Sequence, residues 1–181
     1  MPKGMLIAIA VLLFPAVFIG GAQIMSALSG RKSLEGEKPL NRRWGGYRVD
    51  DAASFWGELD KHGLLRAEQR FLELDLLFPV FYGSALAASL LIASALFGWP
   101  VQRLWLVVPV VIGVLADWFE NLNQLEQIRN FVDHGKDGLV ARCVQIASTA
   151  TVVKLYVLTV STVLLYGLII AFAVSKVRAG S

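Results

Sequence analysis

The sequence predicts an all-α integral membrane protein, a four-helix bundle with a cytoplasmic amphipathic helix between its first two spans. Three observations carry that prediction. Of 181 residues, 56% are hydrophobic and 17% charged, whereas soluble domains have about 45–50% and about 25%. The excess is gathered in four nearly charge-free windows, Met5–Leu28, Leu76–Trp99, Leu104–Ala116 and Leu155–Ser175. Three of these windows reach the roughly 20 helical residues that cross a hydrocarbon core of about 30 Å. The third is too short unless the residues up to Asn123 also lie within the membrane. The expected spans are therefore 5–28, 76–99, 104–123 and 155–175, within a single transmembrane domain.

The first window offers small residues from Ala27 to Ser29 in a cleavage-like arrangement. Its apolar run, however, exceeds the 7–15 residues or so of a signal-peptide core, and Arg31 and Lys32 follow at once. A retained transmembrane helix is the expectation. Residues 29–75 then carry nine of the chain's 17 Lys and Arg, and residues 124–154 carry four more. With four spans these two segments share a side, and the positive-inside bias makes that side cytoplasmic. Both termini are then expected outside the cytoplasm. The net charge of +3 reflects this topology, so no nucleic-acid partner is expected.

Within the first connection, LEGEKPLNRRWGGYR reads as a surface loop. Asp50 and Asp51 then cap a short helix, DAASFWGELDK, that stops at Gly63. Phe55, Trp56 and Leu59 share one face of it, which suits either the membrane surface or packing on the bundle. From Leu64 the pattern reads as unbroken helix into the second span, with Pro79 kinking it. In that span Gly83 and Ala87, and Ser84 and Ala88, form a small-residue face for close helix packing. GWPVQR is a short outer turn, with Trp99 and Trp105 placed for an interfacial aromatic belt.

The polar chemistry is concentrated where the third span ends. Asp117, Glu120, Asn121 and Gln124 fall at i, i+3, i+4 and i+7, one stripe of a helix. Counting from Leu104 at 1.5 Å per residue places Asp117 roughly 9 Å, and Glu120 roughly 5 Å, inside the cytoplasmic boundary. Ionisable groups at that depth turn towards protein or water. By the same count Lys154 and Tyr156 on the fourth span, Asp75 and Tyr82 on the second, and Gln23 on the first reach the inner leaflet. The expectation is a cytoplasm-facing cavity that takes a lipid or other amphiphile. In it, Asp117 and Glu120 are candidates for acid–base chemistry, and Asn121, Gln124, Lys154, Asp75 and Tyr82 for binding. The bland alternative is ion pairing with Lys154 or Arg70 that only holds the helices in register.

Specific catalytic signatures are missing: there is no His-Glu-x-x-His, no Gly-x-Ser-x-Gly and no phosphate-cradling glycine loop. Two carboxylates on one helix are too few ligands alone for a divalent ion, and Asp75 could be a third; this is a weak metal site, so no metal and no cofactor is expected. Cys143 is the only cysteine, and His62 and His134 lie outside the apolar windows. Whether the site binds or transforms its ligand is left open. An accessory subunit bound to other membrane subunits, or a proton or ion transporter, are the competing classes.

Gly46-Tyr47, the helix ending at Gly63, LDLLFPVFY from Leu74 to Tyr82 and LADWFEN from Leu115 to Asn121 together resemble small polytopic bacterial membrane proteins with an Asp-x-x-Glu-Asn element. These stretches cover about a third of the chain. The resemblance implies a four-helix membrane fold and transfers no activity. The repeated aspartate motif of the CDP-alcohol transferases does not occur.

Overall fold

A computed structural model describes residues 3–32, 34, 38–98 and 101–180. Among them are six α-helices: α1 (Lys3–Ser29), α2 (Val49–Lys61), α3 (Leu65–Leu74), α4 (Phe78–Ala95), α5 (Val108–His134) and α6 (Ala141–Gly180). α1, α4, α5 and α6 are each long and apolar enough to cross a bilayer. α4 is the central one: 56% of its apolar window is buried, against 11% for α1. The large apolar side chains left outside, such as Leu12, Ile19, Phe81, Val111, Val160 and Ile170, would be anomalous on a soluble monomer. Facing lipid, they are ordinary.

Small residues bring the spans together. A Cβ at Gly21 of α1 would overlap the Phe78 ring, and one at Gly83 of α4 would overlap Val114 of α5. Half of the small-residue face predicted on α4 is therefore used inside the bundle.

Two hydrophobic cores are stacked along the molecule. One joins α1, α4, the start of α5 and the end of α6 through Phe14, Phe78, Leu86, Leu90, Val110 and Leu165. The other joins α2 to the end of α5 and the start of α6 through Leu40, Phe55, Trp56, Leu59, Ile128 and Val144. Phe55, Trp56 and Leu59 are thus buried against the bundle, so the apolar face of α2 packs on protein and is not offered to lipid. Asp51 is the capping residue that starts α2, its Oδ2 accepting the Arg48 N–H at 2.7 Å. Gly63, at φ +67°, supplies the left-handed residue that ends it.

Two further expectations need correction. The stretch from Leu64 is not one helix: it breaks at Asp75–Leu77, between α3 and α4. Pro79 stands in the first turn of α4, where its missing N–H starts a helix without kinking it. The second connection is mostly helical, because α5 continues to His134 and α6 begins at Ala141 after a single 3-10 turn. At 1.5 Å per residue α6 is about 60 Å long, twice a hydrocarbon core, and its first turns build the second core. Trp99 lies outside the described residues; Trp105 is exposed.

Candidate functional site: a buried carboxylate–lysine cluster beside a lipid-facing groove

The polar stripe lies where the two cores meet. Asp117, Glu120, Asn121 and Gln124 are each no more than 3% exposed, so the stripe faces protein. Lys154 Nζ donates to Asp117 Oδ1 at 2.8 Å and also pairs with Glu120 Oε2. Tyr82 Oη donates to Asp117 Oδ2 at 2.7 Å. Gln124 Nε2 donates to Glu120 Oε1 and to Tyr47 Oη, both at 3.0 Å. Asn121 Nδ2 donates to Asp117 Oδ1 at 3.3 Å and to the Asp75 carbonyl at 3.0 Å. Asp75 is buried, within electrostatic reach of Asp117, Lys154 and Glu120. All seven predicted site residues thus belong to one network.

Part of that network is explained by the break before α4. Pro79 has no N–H to give the Asp75 carbonyl, and the Val80 N–H turns instead to Leu77 at 3.2 Å. The carbonyls of Asp75 and Leu76 are thereby orphaned in a low-dielectric region, where each costs about 1–3 kcal/mol if unpaired. Asn121 takes the first, and Trp118 Nε1 takes the second at 2.8 Å. ADWFEN therefore serves two elements at once: Asp117 and Glu120 hold α6, while Trp118 and Asn121 close the α3–α4 break.

Several expectations about neighbours fail. Gln23 and Arg70 are exposed, so α1 brings no glutamine to the cluster and Arg70 is not its counterion. Tyr156 points outward and stacks edge-on with Trp44 at 5.4 Å. Sequence reasoning missed Tyr47, Trp118 and the Arg31–Glu68 pair, in which Arg31 Nε lies 2.6 Å from Glu68 Oε2. Tyr47 was assigned to the loop GGY; it is buried because Gly46, at φ +74°, lets the chain pass against Ser148, whose Oγ accepts the Tyr47 N–H at 2.7 Å. Burial, and then the Glu120 carboxylate, push the Tyr47 phenol well above its ordinary range.

The cluster is tightly engaged, and none of its carboxylates lines the surface cavities nearby. One is a groove of about 570 Å³ between α5 and α6, lined by Ala116 and Ala150, which adjoin Asp117 and Thr151 in sequence. Ile112, Leu115, Phe119 and Val153 give it apolar walls, and Arg142, Gln145 and Thr149 give it polar groups towards the start of α6. The carboxylates are not disposed as metal ligands either: among the described residues, no three His, Cys, Asp or Glu side chains converge.

Fold and site define a class: an all-helical protein with four membrane-spanning candidates and a charged cluster sealed between two apolar cores. No family model, no curated protein and no solved structure gives a match to this chain.

Proposed function

We propose that this chain is a polytopic protein of the bacterial inner membrane that binds an amphiphile at the level of the cytoplasmic leaflet. Both termini lie outside the cytoplasm. The observation that carries the reading is the α5–α6 groove. Its volume, about 570 Å³, falls in the range of ligand sites, which are mostly apolar with a few polar groups that fix orientation. It runs about 16 Å along α6 from Arg142 to Val153, by helical rise. A tail lies along Ile112, Leu115 and Val153, and the head reaches Gln145, Thr149 and Arg142. Asp117 and Glu120 act here by position: through Lys154 they fix the spacing of the two helices whose alanines line the groove. The ligand stays outside the cluster, and acid–base chemistry by these residues is not part of the proposal.

Native mass spectrometry of the protein released from membranes tests this. The wild type is expected to retain a lipid-sized adduct. Ile146, 40% exposed on the groove wall, can be enlarged without disturbing the core. Ile146→Trp should remove the adduct while the melting temperature stays within a few degrees, as for most surface changes. Undiminished occupancy in that variant sinks the reading.

A further inference from the structure

We infer that the groove's occupant is an anionic glycerophospholipid, with its phosphate held over Gln145 and Thr149 between Arg142 and Arg48. The inference rests on the reading above and adds the chemical class of the headgroup. Its basis is a second cavity, of about 610 Å³, between the first turns of α6 and the Gly45–Asp51 segment. Gln145 and Thr149 line both cavities. The two therefore meet along a crest of uncharged polar side chains, where the Thr149 hydroxyl donates to the Gln145 main-chain carbonyl at 2.9 Å and the Gln145 amide is the donor that faces outward. One side of the crest is mainly apolar; the other presents Arg48, Ser148, the glycine backbone of residues 45 and 46, and Asp51. That division matches an acyl chain joined to a polar head.

Charge selects the kind of head. Arg142 and Arg48 are both exposed, and neither makes an ion pair among the described residues. The acids nearest to Arg48 are already engaged: Lys136 lies 2.8 Å from Asp50, and Asp51 accepts the Arg48 N–H with Arg43 3.7 Å away. Asp51, the carboxylate that lines the second cavity, is already held by Arg43 and by the Arg48 N–H, which leaves it a poor seat for the ammonium of a zwitterionic headgroup. The two exposed guanidinium groups can receive phosphate, which arginine binds bidentately. The positive end of α6, which begins at Ala141, adds to the same field. Free inorganic phosphate would leave the apolar groove unfilled, so the source is a lipid of the bilayer.

Full-length protein in nanodiscs with equal amounts of phosphatidylglycerol and phosphatidylcholine provides the test. Lipid retained after delipidation should be enriched in phosphatidylglycerol by at least roughly fivefold, the effect of one basic side chain near an anionic headgroup. Arg48→Gln combined with Arg142→Gln should bring the ratio close to one with the number of retained lipids unchanged. Ile146→Trp should lower the number itself. Enrichment that survives loss of both arginines overturns the headgroup assignment alone. Displacement of the lipid by excess inorganic phosphate overturns it as well, in favour of a free-anion site. No retained lipid in the wild type, or an unchanged number in Ile146→Trp, overturns the groove reading beneath it.

Discussion

Lys154 is 6% exposed and is shared by two carboxylates that are no more exposed than itself. Breaking such a buried pair from one side leaves uncompensated charge and typically costs about 3–5 kcal/mol. Lys154→Met should therefore unfold the protein far more readily in a denaturant titration in detergent. Adding Asp117→Asn and Glu120→Gln to it should recover much of the loss. If the triple variant is no more stable than Lys154→Met, the lysine is not the counterion that holds the helices. Tyr47 gives a second prediction at this scale. Because its phenol is raised by burial, its contribution to stability is complete below the ordinary tyrosine range, about pH 10. It is lost as pH climbs from there towards the higher folded value. Stability measured from pH 8 to 11 should fall in the wild type, and Tyr47→Phe should flatten the fall. The stripe on α5 was legible because helical periodicity is a local property, and its partners on α4 and α6 followed from counting residues to equal depth. Tyr47 was not, because its burial depends on a left-handed glycine and a serine 101 positions away.

Among the elements, the junction of α3 and α4 departs most from expectation. A proline inside an apolar run reads equally well as a kink or as a beginning; α5 decides the matter by offering two side-chain donors to the exposed carbonyls. Asn121→Ala should cost about 1–3 kcal/mol, the penalty for a buried acceptor without a donor. Pro79→Ala supplies an N–H four residues beyond Asp75, so it should be milder alone and should restore part of what Asn121→Ala removes. Strict additivity of the two changes in a double-mutant cycle would deny the shared carbonyl. α2 was predicted correctly in its end and in its apolar face, while its start lies two residues earlier, at Val49. The partner for that face, the end of α5 and the start of α6, could not be read from its own thirteen residues.

On the scale of the whole molecule, hydropathy located the four helices that are long and apolar enough to cross a bilayer, because burial in lipid demands a long apolar run and little else. It did not locate the second core, whose apolar residues are interspersed with charge in the ordinary manner of a soluble domain. The long α6 passes through both cores, with Lys154 between Ala147 of one and Leu165 of the other. Cys143, the single cysteine, stands near the start of α6 and is partly accessible. It is a built-in reporter of topology. A membrane-impermeant maleimide should label it in inverted vesicles and spare it in intact spheroplasts; the reverse pattern would invert the proposed orientation.

The two main-chain oxygens that Asn121 and Trp118 cover also constrain the order of biogenesis. When a nascent chain has emerged only as far as Gly98, it holds the acceptors at 75 and 76 but neither donor. The first two spans alone are then an unfinished product, to be shielded by the insertion machinery until the third arrives. Ribosome-stalled intermediates should accordingly become resistant to protease and detergent only after residue 121 has cleared the exit tunnel.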